Sequence, residues 1–442
     1  MKFTLAVLKQ QLQDFDATSG WDTLLAQLPG DLDAHAKQHG ALLRQRNVTR
    51  AADLLRLILV YSLWDWSLRL SAAWAQVVGV GRLNKSAVRY RLCASVAWLG
   101  ALIPELLAQR DLHLPRYPGV RVHLRDATGV SQPGSRGTDW RTHVSLDLAQ
   151  LQVSHIEVTD AHGGESLTRF PAQPGEIEVA DQGYAYPVSL GAILAVGQLV
   201  VRFFWRNLRF LDAQGQPWDV AAWVRQAELA PGEMCEARVG LPTPQGTFAV
   251  RVGVVRLPAE KAEAARRRYR QTAQKKGRTP EARSLELAAY VFLLTNLPEA
   301  TWPMAQVFRL YRLRWQIEWV FRRWKQFLTL EGGLARDPQL AQAVLLAKVI
   351  GILLSEHLSG QARHRCPQWF RSTQRPANPT RLLRLFFQQL KLLIWGPVRV
   401  EQVLEALPEI SRQICDEPRA RGYPVAEARQ WLSHIAPQTS QA

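Results

Sequence analysis

Apolar positions in the first quarter of the chain recur at helical spacing. Ala51-Ala52-Asp53-Leu54-Leu55-Arg56-Leu57-Ile58-Leu59 and Ser86-Ala87-Val88-Arg89-Tyr90-Arg91-Leu92 both follow it, so residues 1–115 read as helical. Asn84 or Ser86 supplies an N-cap for the second segment. Pro115 and Pro118 mark a boundary. Beyond it the pattern changes to strand-like runs: Val120 to Leu124, His143 to Leu148, Leu151 to Thr159, Glu176 to Ala180 and Gln198 to Phe204. Short helical segments, Glu165 to Phe170 and Pro187 to Val196, separate the later runs. This order implies a mixed α/β sheet. A turn-rich stretch follows, with a hairpin whose arms are Glu236 to Leu241 and Thr247 to Val255. Tyr290 to Thr295 reads as one more buried strand, and the chain after about residue 335 as helical, interrupted from Pro367 to Pro379.

These changes divide the chain into residues 1–115 (helical, N-terminal), 116–205 (sheet core, first part), 206–285 (β-rich insertion), 286–335 (core, second part) and 336–442 (helical, C-terminal). There are no internal repeats. The longest apolar stretch, Ala341 to Leu354, is broken by Lys348 and reads as a buried helix, not a membrane span.

Charge narrows the class. The chain has 442 residues, 47% of them hydrophobic, with 55 Lys+Arg against 38 Asp+Glu, a formal net charge of +17. That excess points to a polyanion, nucleic acid before a membrane surface. Four scattered cysteines without a CxxC fit a reducing cytoplasm and neither a disulfide framework nor a zinc site. The opening Met1 to Lys9 is too short in its apolar run for a signal peptide, and no lipidation signal is present. Two basic segments are candidates for DNA. Lys85, Arg89 and Arg91 lie on one predicted helix, which could equally be a plain amphipathic helix. Arg266, Arg267, Arg268, Arg270, Lys275, Lys276 and Arg278 form a run that either contacts phosphates or is a solvated face.

Three carboxylates occupy positions that suggest chemistry. In Val120-Arg121-Val122-His123-Leu124-Arg125-Asp126, Asp126 continues the face of the alternating apolar residues. In Ile177-Glu178-Val179-Ala180-Asp181, Asp181 does the same. Each predicted strand thus ends on a carboxylate where a core residue belongs, an arrangement that a divalent cation would compensate. Either Asp alone could be a strand-end cap. Further along, Tyr311, Arg314, Glu318 and Lys325 stand at offsets of zero, three, seven and fourteen in a predicted continuous helix. At about 100° per residue they share one stripe roughly 60° wide, bordered by Arg322. An ordinary surface pair of Arg314 with Glu318 is the plainer reading. Hard oxygen donors without a Cys/His cluster favour Mg²⁺ or Mn²⁺, and three carboxylates can hold two ions for in-line phosphoryl displacement. No GxSxG, Walker A or GxGxxG motif offers a competing chemistry.

The Tyr-(2)-Arg-(3)-Glu-(6)-Lys spacing resembles the signature of one branch of DDE-type insertion-sequence transposases. Such a match arises by chance at roughly one in 10⁵ starting positions. The order Asp126, Asp181 followed by Gly183-Tyr184, then Glu318 is similar to that family, as are Leu293-Leu294-Thr295-Asn296-Leu297 and Ser67-Leu68-Arg69. The resemblance implies an RNase H-like core interrupted by a β-rich insertion, with helical N- and C-terminal regions. It implies a metal triad of Asp126, Asp181 and Glu318 holding two Mg²⁺ (or Mn²⁺) ions, with Tyr311, Arg314 and Lys325 on DNA phosphates. Trp315 follows the signature Arg as in some relatives, and Arg322, Arg266, Arg267, Arg268 and Arg270 are further candidate DNA contacts. Relatives of this kind cut terminal inverted repeats and join them to target DNA, as dimers on DNA, in the bacterial cytoplasm near the nucleoid. Some hold a flipped base on an aromatic at the position that reads Tyr290-Val291-Phe292 here. Two alternatives remain at this stage: a metal-dependent nuclease without strand transfer, and a retired transposase acting as a DNA-binding repressor.

Overall fold

The computed structural model describes residues 18–28, 30–43, 46–110, 120–327, 330, 334–365, 367–368, 377–395 and 431–432. Met1 to Lys9, the boundary at Pro115 and Pro118, Cys366, Cys415 and the middle of the Pro367 to Pro379 interruption lie outside the described residues.

Six helices open the described chain: α1 (Thr18–Leu25), α2 (Leu32–Gln38), α3 (Ala51–Trp64), α4 (Leu68–Val77), α5 (Lys85–Ala94) and α6 (Val96–Arg110). Side-chain caps set several of their starts. Asp31, Ser67 and Asn84 each accept a hydrogen bond from the backbone N–H three residues on. Asn84, not Ser86, is therefore the cap of α5. α3 is apolar on most sides and buried accordingly.

The sheet strands are β1 (Arg121–Val130), β2 (Trp140–Asp147), β3 (Gln152–Asp160), β4 (Glu176–Ala180), then α7 (Pro187–Leu194) and β5 (Gln198–Phe203). The segment around Glu165 to Phe170 forms only a 3₁₀ turn, Leu167–Arg169. Next come β6 (Phe210–Leu211), β7 (Pro217–Trp218), α8 (Val220–Gln226), β8 (Met234–Thr243) and β9 (Gly246–Arg256). The basic run is ordered as helix α9 (Ala259–Lys275), followed by α10 (Ala282–Leu287) and β10 (Tyr290–Thr295). The chain continues with α11 (Met304–Arg312), α12 (Trp315–Phe327), α13 (Pro338–Arg365) and α14 (Pro379–Trp395).

All ten strands form one mixed sheet in the order β3-β2-β1-β4-β5-β10-β9-β8-β6-β7. β4 pairs in parallel with β1 and β5, and the other pairings are antiparallel. The inserted hairpin β8–β9 extends this sheet, because β9 pairs with β10 along six residues. Alternate residues of the central strands feed two separate cores. Val200 and Leu293 join the core shared with the helices of both chain ends, while Leu199, Val201, Phe292 and Leu294 join a second core under α7, α8 and α10. Burial on both faces explains why these strands read as nearly continuous apolar runs.

The helices of the two chain ends share that first core. α13 packs against α3, α5, α6 and α14, and α6 touches β3. By length and composition α13 could cross a bilayer, but most of its apolar window is buried in the protein, as the sequence reading of Ala341 to Leu354 expects.

β1 differs from expectation in length. It runs through Asp126 to Val130, so Asp126 stands in mid-strand opposite Val144 of β2. Beyond the exposed Arg121, its polar positions are not solvent-facing either. His123 and Arg125 are buried on the face away from Asp126, where His123 meets Glu176 at 3.5 Å and Arg125 pairs with Glu178. Alternation in this strand separates an apolar face from an ion-paired one.

Candidate active site

The parallel register of β1 and β4 sets Arg125 beside Ala180, which brings the next residues, Asp126 and Asp181, together in the middle of the sheet where β4 ends. Asp126 Oδ1 accepts from the Ala127 N–H at 2.8 Å. Asp181 caps the 3₁₀ turn Gln182–Tyr184, its Oδ1 accepting from the Gln182 N–H at 2.8 Å. Helix α12 packs on β1 and delivers Glu318 and Lys325, while Tyr311 lies in the last turn of α11 and Arg314 between the two helices.

The predicted continuous helix is in fact two. Between α11 and α12 the chain bonds from i to i−3: Arg314 N–H to the Tyr311 carbonyl at 3.0 Å, and Ile317 N–H to the Arg314 carbonyl at 3.1 Å. This tightening interrupts the regular winding, so the single-helix stripe is not the reason the residues meet. Tyr311, Arg314 and Glu318 converge nonetheless. The Tyr311 hydroxyl donates to Asp181 Oδ1 at 2.9 Å. Arg314 Nη1 donates to Asp126 Oδ2 at 2.9 Å, and Nη2 donates to Glu318 Oε1 at 2.7 Å and lies 3.7 Å from Asp181 Oδ2. Lys325 Nζ donates to the Gly129 carbonyl of β1 at 3.2 Å. One guanidinium thus bridges three carboxylates drawn from β1, the end of β4 and α12.

Burial governs the charges here. It pushes the Asp126 carboxyl up to about 6, with Arg314 opposing the rise and Asp181 and Glu165 adding to it. Burial also raises the Tyr311 hydroxyl, helped by the Asp181 charge. Burial alone works against the Arg314 cation, but Asp181, Tyr311, Asp126 and Glu318 outweigh it and hold the guanidinium above its ordinary value.

Two neighbours were missed in the sequence. Glu165, after β3, lies against Gly183: a Cβ on that glycine would meet Glu165 Oε2 at 1.7 Å. Burial raises the Glu165 carboxyl, with Asp181 adding to the rise. Arg202 of β5 places Nη1 4.0 Å from Asp181 Oδ1. An Arg in the apolar run Gln198 to Phe203 was a visible signal; nothing local marked Glu165.

The other predicted DNA contacts are spread out. Trp315 and Trp319 on α12 are 60% and 49% exposed, and Arg322 lies 4.7 Å over the Trp319 ring. On α9, Arg267 and Arg268 are exposed, whereas Arg266 bonds the Leu285 carbonyl and both Arg266 and Arg270 pair with Glu263. On α5, Arg89 pairs with Asp337 and the buried Arg91 donates to the Arg46 carbonyl.

The donor set suits a hard divalent cation: three carboxylates from β1, the end of β4 and α12, with no His or Cys thiolate. Among the described residues no three such side chains stand close enough to hold an ion between them. Arg314 is the group that stands between Asp126, Asp181 and Glu318.

Residues 224–354 match the family model described as "Transposase DDE domain". The chain is 36% identical over 350 residues to the putative transposase InsL for insertion sequence element IS186A of Escherichia coli K12, spanning 76% of this chain and 93% of that protein. It is 36% identical over 351 residues to the transposase for element IS421 of Escherichia coli, with the same coverage. The chain belongs to the DDE-type insertion-sequence transposases. More distant similarity, 31% over 102 residues, reaches the transposase for element IS231B of Bacillus thuringiensis, covering 23% of this chain and 21% of that protein. The protein is thus a metal-dependent DDE enzyme of DNA transposition, with DNA as its partner. Its central strands are the RNase H-like core of that fold. The family match includes α11 and α12 with Tyr311, Arg314 and Glu318, and begins after β1 and β4.

Proposed function

We propose that Asp126, Asp181 and Glu318 are the catalytic metal ligands and that the enzyme works by cut-and-paste. The observation that carries this is the convergence of the three carboxylates, from separate parts of the chain, on the single guanidinium of Arg314. Mg²⁺ or Mn²⁺, two ions per site, would activate the attacking water or 3′-hydroxyl and offset charge on the leaving oxygen. The protein side does the positioning. Ala127 and Gln182 N–H groups and the Tyr311 hydroxyl orient the two aspartates. Arg314 and Lys325 clamp the scissile phosphate, and Tyr311, whose one hydroxyl hydrogen stays on Asp181, borders it. Trp315 and Arg322 flank it on the outer side of α12, and Arg266, Arg267, Arg268 and Arg270 extend the basic track along α9.

In the same reading, residues 1–115 grip the transposon end and residues 336–442 contribute to a two-fold dimer assembled on DNA. Each protomer then holds one end, in the bacterial cytoplasm at the nucleoid. The core in two parts, 116–205 and 286–335, with the insertion 206–285 between them, carries the chemistry.

The experiment is an assay with purified protein, end-sequence duplexes and a target plasmid. Cleavage followed by end joining supports the transposase reading. Cleavage without joining supports a nuclease, and binding without cleavage a retired repressor. Asp126→Asn, Asp181→Asn and Glu318→Gln should each abolish cleavage and keep DNA binding. A variant that still cuts at near the parental rate removes its residue from the triad.

A further inference from the structure

The pattern of contacts at the three carboxylates divides their oxygens into two sets. Asp126 Oδ1 is held by a backbone N–H, and Asp181 Oδ1 by a backbone N–H and the Tyr311 hydroxyl. The oxygens facing the centre, Asp126 Oδ2, Asp181 Oδ2 and Glu318 Oε1, meet Arg314. The fold therefore orients both aspartates without Arg314, and Arg314 is laid over the oxygens left pointing inward. Charge is unbalanced in this arrangement: Arg314 alone touches all three carboxylates, and Arg202 reaches only Asp181 Oδ1, at 4.0 Å. The guanidinium is also incompletely satisfied. Its two Nη atoms carry all three contacts, while the buried Nε has no hydrogen-bond partner among the described residues. A buried donor left without a partner is costly, so this seat is less than the best available to the side chain. A planar guanidinium pairs with a phosphate as readily as with a carboxylate.

We propose that Arg314 is an exchangeable counter-ion: it neutralises the three carboxylates until a DNA phosphate offers it a better partner, and by leaving them it makes them available to divalent cations. Cation binding and DNA binding then reinforce each other through one side chain, and by linkage the reinforcement is reciprocal. Tyr311 keeps Asp181 in place during the exchange, because it holds the other oxygen. This rests on the assignment of Asp126, Asp181 and Glu318 as metal ligands. The competing view is a permanent structural salt bridge.

The test is calorimetric titration of Mn²⁺ into the full-length protein, with and without a random-sequence duplex, for the parent, Arg314→Gln and Arg314→Lys. Without DNA, Arg314→Gln should bind Mn²⁺ at least about tenfold more tightly than the parent, because the competing charge-assisted hydrogen bonds are gone. Arg314→Lys, which cannot bridge three carboxylates, should fall between them. The duplex should tighten Mn²⁺ binding to the parent and leave Arg314→Gln unchanged. Equal Mn²⁺ affinity in the parent and both variants overturns the proposal, as does a duplex that leaves the parent's affinity unaltered. Asp126→Asn combined with Arg314→Gln separates the two assumptions. If that double variant binds Mn²⁺ as well as Arg314→Gln, the ion is not at the triad and the site assignment has failed; if binding is lost, the site stands and the Arg314 comparison decides. Circular dichroism on each variant confirms that it folds, and Arg314→Lys carries the comparison if Arg314→Gln does not.

Discussion

Arg125 of β1 and Glu178 of β4, diagonal neighbours on the two parallel strands and both only 2% exposed, form a two-pronged ion pair on the sheet face opposite Asp126. The guanidinium also lies 4.6 Å over the Phe170 ring. This pair locks together the strand that carries Asp126 and the strand that Asp181 follows. Removing one partner leaves a buried charge uncompensated, which costs about 3–5 kcal/mol. We expect Arg125→Ala or Glu178→Ala to lower unfolding free energy by about that amount in urea titrations. The joint change Arg125→Met with Glu178→Leu should recover most of the loss. A single variant within 1 kcal/mol of the parent would show that the pair is not what holds these strands.

The raised Asp126 carboxyl gives a pH signature. Its folded value of about 6 lies above the ordinary 3.8. Between the two, the native state keeps a proton that the unfolded chain has lost, so stability falls as pH rises from about 4 to about 6. The gap is worth about 3 kcal/mol, and the cost persists above pH 6. Asp126→Asn should therefore match the parent near pH 4 and exceed it in melting temperature at pH 7. Parallel melting curves that show no divergence across that range would contradict the assignment of the shift to Asp126.

Lys348 has the opposite sign. It is 2% exposed in the middle of α13, and burial pushes its ammonium down to about 8 from 10.5, with Asp65 opposing. Between those values the unfolded chain holds the proton and the native state has lost it. Stability contributed by this group thus rises from about pH 8 to about pH 10.5, and below pH 8 the cost of about 3 kcal/mol is complete. Lys348→Met should stabilise the protein by up to about 3 kcal/mol at pH 7, with the advantage shrinking toward pH 10. Denaturant midpoints at the two pH values measure it. An advantage that does not shrink would point to packing and not charge.

The basic run on α9 should divide by its contacts. Arg267 and Arg268 are exposed, while Arg266 and Arg270 are engaged with Glu263. Each phosphate contact on duplex DNA contributes about −0.9 to the slope of log K against log salt. Neutralising Arg267 and Arg268 together should flatten the slope by about 1.8. Changing Arg266 should alter the slope less and disturb its bond to the Leu285 carbonyl instead. Filter binding at several salt concentrations distinguishes the two.

Much of this arrangement was legible in the chain itself. Strand phase placed Asp126 and Asp181 on apolar faces, and the structure sets them side by side at the end of β4. The spacing picked out Tyr311, Arg314 and Glu318, which do converge with the aspartates, although by way of two helices and not one, while Lys325 meets the Gly129 carbonyl further along β1. Local pattern could not show that β1 continues to Val130, because Asp126 looks the same in mid-strand as at a strand end. Nor could it show that β9 pairs with β10, since sheet order is set by contacts distant in sequence. Glu165 was invisible for the same reason: its place depends on Gly183, eighteen residues away, leaving room for it. The basic helices misled in part, because composition counts Arg91 and Arg266 as free charge when the fold employs both to tie down carbonyls.

The central position of α13 has a consequence for synthesis. α3, α5 and α6 all pack on a helix that ends at Arg365, so their apolar faces have no complete partner while the chain is being made. At about 5–20 residues per second, the delay between emergence of the first helices and arrival of α13 is on the order of tens of seconds. During that interval the nascent chain exposes a sticky helical surface, and the last described helices act as the closing clasp. A chain released before Pro338 carries every strand of the sheet yet leaves α3, α5 and α6 unclasped. We expect such a fragment, about three quarters of the chain, to be held by chaperones or degraded and not to act as a shortened enzyme.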